Sequence, residues 1–286
     1  MRTVCVVCVL ALAGCSGQHR ITVGSKNFTE QLILGEIISQ HIENRLHTRV
    51  RRKLDLGGTF LTQQAIVTGS IDLYPEYTGT ALTSVLKQPV VKDPAAALAR
   101  VRAGYARWNL RWMNPLGFEN TFAMAIRRSD AESRHLKTLS DAAAPGNQWR
   151  MGVGYEFEQR PDGLPGLQKT YHLQLTGAVK TMDLGLLYRA LAQDQVDMVA
   201  GNSTDGALSV LPVTILQDEK HFFPPYDAAI VVRNAALAEF PGLEAALREL
   251  EGKLDTRLMQ RLNYEVDAKH RPVPQIAAEV LQGIER

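Results

Sequence analysis

The chain has 286 residues, of which 22 % are charged, 45 % hydrophobic and 7 % aromatic, and its 32 basic and 30 acidic side chains leave a net charge of +2. These are ordinary globular proportions, which exclude a disordered or fibrous chain, and the interspersed charge builds no field that argues for nucleic acid. The length exceeds what one core usually serves, so two lobes are expected.

The N-terminus opens with Arg2 and an apolar run over residues 4–13, followed by the polar residues Ser16, Gly17, Gln18, His19 and Arg20. The run is too short for a membrane span, which needs about 20 apolar residues, but it suits a secretory signal. Leu12, Ala13, Gly14 and Cys15 read as a bacterial lipoprotein acceptor site, giving residues 1–14 as signal and 15–20 as a linker from a lipidated Cys15. Of the three cysteines, Cys5 and Cys8 fall in the signal, so the mature chain keeps Cys15 alone and no internal disulfide is expected.

Ile21, Thr22, Val23 and Gly24 then predict a strand, and Thr29 the cap of a helix whose Leu34, Ile37, Ile38 and Ile42 recur at helical spacing. Residues 50–56 predict the next strand, which makes the basic run 49–53 a solvated strand face rather than a phosphate-binding patch. Gly57 and Gly58 mark a turn, residues 60–68 a helix stopped by Gly69, and Ile71, Asp72, Leu73 and Tyr74 a third strand. Alternation of strand and helix predicts an α/β fold with parallel crossovers.

This grammar returns later in the chain. Leu61, Ala65, Ile66, Ile71, Asp72 and Leu73 are echoed 125 positions on by Leu186, Ala190, Leu191, Val196, Asp197 and Met198, and Val23 and Gly24 find counterparts in Val153 and Gly154. Two related lobes would aim their strand-end loops at a shared crevice, where open α/β sheets bind ligands. Near the C-terminus, Leu243, Leu247, Leu250, Leu254, Leu258 and Leu262 predict one core-packing helix over 243–262.

Several blocks together carry a family resemblance. They are Gly24-Ser25-Lys26-Asn27-Phe28-Thr29-Glu30-Gln31, the run from Ile71 to Thr80 containing Tyr74-Pro75-Glu76-Tyr77-Thr78-Gly79, Asn120-Thr121-Phe122, Arg160-Pro161-Asp162-Gly163, Ser203-Thr204-Asp205-Gly206 and Pro224-Pro225-Tyr226-Asp227. Over nearly all of its mature length the chain resembles the substrate-binding proteins of osmoprotectant ABC importers, which capture glycine betaine, choline and related quaternary ammonium compounds. The resemblance implies a two-lobed periplasmic binding protein of the Venus-flytrap type. Its lobes would be residues 21–124 with 225–286 and residues 125–224, with crossings near 123–127 and 221–225. The implied partners are an ABC permease and ATPase, the membrane through Cys15, and a small quaternary ammonium or betaine ligand. The protein is expected to act as a monomer.

A trimethylammonium group donates no hydrogen bond and is held by the faces of several aromatic rings, each contributing about 0.5–2 kcal/mol. By resemblance Tyr77 and Tyr226 match cage tyrosines, Ser25, Lys26 and Asn27 hold the ligand's polar end, and Thr80, Asn120 and Thr204 add hydrogen bonds. Two positions depart from the family pattern: Phe122 and Asn202 stand where a full cage has tyrosines, and Tyr105 is only a distant candidate for a further ring. Loss of one or two rings weakens binding by roughly one to two decades. The thinner cage leaves a different ligand open, such as ergothioneine or a cationic amino acid, and a solute-sensing role without transport is a more distant alternative. Glu156 and Arg160 bear on this choice, since they either face a ligand or pair locally, with each other or with Asp162.

The histidines at 19, 41, 47, 135, 172, 221 and 270 have no metal-binding spacing, and neither a Walker loop nor a nucleophile elbow occurs in the chain. Neither a metal, a cofactor nor catalysis is expected.

Overall fold

A computed structural model describes residues 20–284, so Cys15 and the signal segment lie outside the described residues. Those residues form two five-stranded mixed sheets. The first has the order β2-β1-β3-β10-β4, built from β1 (Thr22–Gly24), β2 (Arg51–Lys53), β3 (Leu73–Tyr77), β4 (Leu110–Glu119) and β10 (Asp227–Arg233). The second has the order β7-β6-β8-β5-β9, built from β5 (Phe122–Arg127), β6 (Met151–Val153), β7 (Lys180–Thr181), β8 (Met198–Asn202) and β9 (Val213–Ile215).

Each sheet is covered on both faces. Ile33, Leu34, Ile37 and Ile38 of helix α1 (Thr29–Leu46) join a core with Val23 and Ile230, while Ile66, Tyr74, Tyr105 and Trp112 form a second core. The other sheet lies between a cluster around Met124, Trp149 and Met198 and one around Ala125, Leu191 and Val199. Parallel neighbours such as β1 and β2, which pair Thr22 with Arg51, require a crossover, and α1 supplies it.

The internal echo has a structural counterpart. β3 and β8 hold the same position in their sheets, and each follows a short helix, α2 (Thr59–Val67) in one case and Leu187–Ala192 in the other. Ile66 and Leu191, paired by the echo, are both buried. The chain passes from the first sheet to the second at 120–121, between β4 and β5, slightly ahead of the expected 123–127, because those residues already pair with β8. It returns between β9 and β10.

Three local readings change. Thr29 is the first helical residue of α1 rather than its cap, since Phe28 holds the N-cap position and Thr29 Oγ1 donates to Asp267 at 2.5 Å. The third strand continues through Pro75 to Tyr77, because its pairing with β10 runs on after β1 has ended. The leucine stripe belongs to two helices, Leu243–Arg248 and Thr256–Asp267. Between them Gly252 takes φ +69°, and the amides of Gly252 and Leu254 donate to the carbonyls of Pro115 and Leu116 at 3.0 and 2.9 Å, so backbone pairing with β4 interrupts the helix. The basic run is exposed at Arg49, Arg51 and Arg52, and Arg52 is also bound by Glu36 and Glu43. None of the described helices is long and apolar enough to cross a membrane.

Candidate functional site

Between the two sheets lies a cleft of about 940 Å³. Its first wall comes from the loop after β1, the end of β3 and the start of α1. Lys26, Asn27, Phe28, Glu30, Tyr77 and Thr80 all line it. Strand burial explains why these side chains hold their places: all five residues of β3 are buried, so Tyr77 leaves a rigid strand end.

Tyr77 is the pivot of this wall. Its hydroxyl donates to Glu30 Oε1 at 2.6 Å, its ring stacks on Phe28 with centroids 6.3 Å apart, and Lys26 Nζ lies 5.3 Å from its centroid. Glu30 is enclosed and also accepts from Asn120 Nδ2 at 2.9 Å and Asn263 Nδ2 at 3.4 Å. Burial raises its pKa above the usual carboxylate range, although these donors pull the other way. Lys26 does not neutralise it, because its ammonium is paired with Glu76 at 2.5 Å.

The second wall is aromatic and charged. Phe122 packs edge-on against Phe157 and Tyr226, with centroids 4.6 and 5.5 Å away. The Arg160 guanidinium lies 5.3 Å from the Phe122 centroid and 6.0 Å from that of Tyr226. Arg160 also binds Asp162 through Nε and Nη2 at 3.0 and 2.5 Å, and its Nη2 reaches Thr80 Oγ1 of the opposite wall at 3.2 Å. Burial would raise the Asp162 carboxyl, but Arg160 beside it holds it below its ordinary value, and Tyr226 donates to it at 2.6 Å.

Asn202 lines the cleft at the end of β8, directly across the ladder from Phe122. No ring stands at this position, but Tyr188 lines the cleft nearby and donates to Asp205 Oδ2 at 3.0 Å. Asp205 also accepts from the Asn202 amide at 2.7 Å, and burial pushes its pKa up to about 7. Neither Glu30 nor Asp205 has a Lys or Arg among its hydrogen-bond partners here. Thr204 is buried in the cleft wall, where its carbonyl accepts from Asn263 Nδ2 at 2.8 Å.

The structure thus brings together Lys26, Asn27, Tyr77, Thr80, Asn120, Phe122, Glu156, Arg160, Asn202, Thr204 and Tyr226 around one cavity. Ser25 is the exception. It is fully buried behind the wall, donating to the Lys26 carbonyl at 3.0 Å and accepting from the Asp55 amide at 3.1 Å, so it shapes the loop and is not among the cleft-lining residues. Tyr105 is remote as well, packed edge-on between Trp108 and Trp112. Glu156 and Arg160 do pair locally, with Arg160 Nη1 3.7 Å from Glu156 Oε2, and the Glu156 oxygens also accept from the Thr59 amide and hydroxyl at 2.6 and 2.9 Å. Glu30, Tyr188, Asp205 and Asn263 were not singled out by the sequence. For Glu30 and Asp205 the signal was present, since both lie inside the blocks that carry the resemblance.

Chemically, the arrangement offers aromatic faces, two carboxylates without a cationic partner, and a cluster of guanidinium, ammonium and hydroxyl donors. The family model for the substrate-binding domain of ABC-type glycine betaine transport systems matches residues 19–283. The carnitine transport binding protein of Listeria monocytogenes is 34 % identical over 278 residues, 96 % of this chain and 90 % of that protein. An ergothioneine transport permease/ergothioneine binding protein of Helicobacter pylori is 32 % identical over 92 % of this chain and 47 % of its own length. The crystal structure of a glycine betaine/carnitine/choline ABC transporter chain is 32 % identical with a TM-score of 0.77, covering 92 % of this chain and 98 % of that one. The chain belongs to the family of substrate-binding domains of ABC-type glycine betaine transport systems.

Proposed function

We propose that the cleft captures a small quaternary ammonium solute of the betaine type and hands it to an ABC permease and its ATPase, from a lipid anchor at Cys15 on the periplasmic side of the cell envelope. The ligand is bound and released without chemical conversion. The observation that carries this reading is the pairing of aromatic faces at Tyr77, Phe122 and Tyr226 with the carboxylates Glu30 and Asp205, which have no Lys or Arg among their hydrogen-bond partners, in one cavity. Such a cavity favours a poorly hydrated cation over an anion or a neutral sugar. Three rings contribute about 1.5–6 kcal/mol, whereas micromolar affinity needs about 8 kcal/mol. Electrostatics and a second anchor must supply the rest. Arg160, Thr80 and Lys26 form that anchor, as donors for a ligand carboxylate.

Closure is the mechanism. The lobes swing about the two passages between the sheets, and the ligand selects the closed form because only there do Tyr77 and Thr80 of one lobe and Phe122 and Arg160 of the other act together.

A second reading keeps the transport role but gives the ligand an N–H donor, as in ergothioneine or a cationic amino acid. It is supported by Asn202 in place of a ring and by Asp205 beside it. Mass spectrometry of solute released by denaturing the protein purified from its native host separates the two. A permethylated betaine without N–H groups supports the main reading and an N–H-bearing cation the second, while a sugar or an anion as the retained solute contradicts both.

A further inference from the structure

Glu156 follows β6 of the second sheet, and Thr59 opens α2 beside the first, so their contact joins the two lobes directly. Both carboxylate oxygens are engaged: Oε1 accepts from the Thr59 amide at 2.6 Å and Oε2 from the Thr59 hydroxyl at 2.9 Å. The Thr59 amide is one of the unpaired donors at the N-terminus of α2, where a negative charge also meets the favourable end of the helix dipole. Gly58 is the N-cap residue, and a Cβ there would lie 2.3 Å from Glu156 Oε1. The absence of a side chain at 58 therefore lets the carboxylate seat. Arg160 Nη1, 3.7 Å from Glu156 Oε2, steadies the carboxylate from its own lobe.

A second bridge between the lobes closes the other side of the cleft. In it the helix Thr256–Asp267 sends Gln260 Nε2 to the Ser203 carbonyl and Asn263 Nδ2 to the Thr204 carbonyl, both at 2.8 Å.

We infer that Glu156 is a positioning residue, a latch that seats on the N-terminus of α2 when the lobes close and so sets how long the cleft stays shut, without choosing what it holds. This rests on the proposed capture of a betaine-type solute, and it assigns Glu156 to closure rather than to ligand contact. A carboxylate at a helix N-terminus is worth about 0.3–2 kcal/mol, which converts to roughly a 2- to 30-fold effect on the closed state.

The test uses Glu156→Gln and, independently, Gly58→Ala, which blocks the seat while leaving Glu156 itself in place. Dissociation rates by stopped flow and Kd by calorimetry are measured with glycine betaine, choline and carnitine, alongside the melting temperature. The latch predicts that both variants raise koff and Kd by a similar factor for every ligand, with the ranking of ligands unchanged and the melting temperature within a few degrees of wild type. A change in ranking, or a loss confined to one ligand, would mean that Glu156 touches the ligand and would overturn the inference. So would unchanged kinetics in both variants. If the wild-type protein binds none of the three, the betaine reading fails. The latch is then tested without ligand by small-angle scattering, where Glu156→Gln must give the larger radius of gyration and an identical radius refutes it.

Discussion

Lys26 and Glu76 meet at 2.5 Å with both side chains nearly out of solvent, and Glu76 also accepts from the Tyr77 amide and the Tyr74 hydroxyl. Removing one member of such a pair strands the other, at a cost of about 3–5 kcal/mol. Glu76→Gln should therefore lower the melting temperature markedly, and a scanning calorimetry trace matching wild type would contradict this account of the pair. Asp205 gives a pH signature. Its folded pKa of about 7 exceeds the ordinary value of about 3.9, so its contribution to stability is full below about pH 4 and is lost as pH rises to about 7. The stability of wild type relative to Asp205→Asn should decline across that window and level off above it. A difference that grows with pH would reverse the assignment. Tyr77, Asn120 and Tyr226 were legible in the sequence because they sit in distinctive blocks. Ser25 lies behind the cleft wall, bonded within its own loop, because a serine beside a strand end serves that loop as readily as a ligand. Tyr188 and Asn263 were invisible because only the tertiary fold brings their helices to the cleft.

At the scale of elements, most strands and the first two helices follow from apolar periodicity and turn residues, and the departures arise where tertiary pairing outweighs a local signal. The stripe from Leu243 to Leu262 has the spacing of one helix, and Leu250 and Leu254 are indeed buried, but 249–255 pairs with β4 through backbone amides. Pro75, a usual strand breaker, is tolerated because β1 pairs with β3 only at Leu73. Gly117 marks the other side of the interrupted helix. It takes φ +117°, and a Cβ there would lie 2.4 Å from the Leu254 carbonyl oxygen. Gly117→Ala is expected to destabilise the protein by about 1–3 kcal/mol, through strain at a positive φ and through displacement of this segment. Thermal melting checks it; an unchanged melting temperature would show that the segment yields freely.

The whole molecule is two similar mixed sheets joined by two passages, with the cleft between them built from residues scattered over most of the chain. The internal echo made the duplication legible. The pairing of β5 and β10 with their sheets was not, because each strand joins its sheet antiparallel after a passage that composition does not mark. What the fold accomplishes is to place rings, carboxylates and the Arg160 donor cluster around one volume between its two sheets. The central claim is that this volume holds a betaine-type cation through its aromatic faces. Titration calorimetry of the wild-type protein and of Tyr77→Ala and Tyr226→Ala with glycine betaine, choline and carnitine tests it most directly. The account predicts saturable one-to-one binding of at least one of these by the wild type, weakened about tenfold or more in each variant. No heat from any of the three with wild type, or equal affinity in all three proteins, would contradict it.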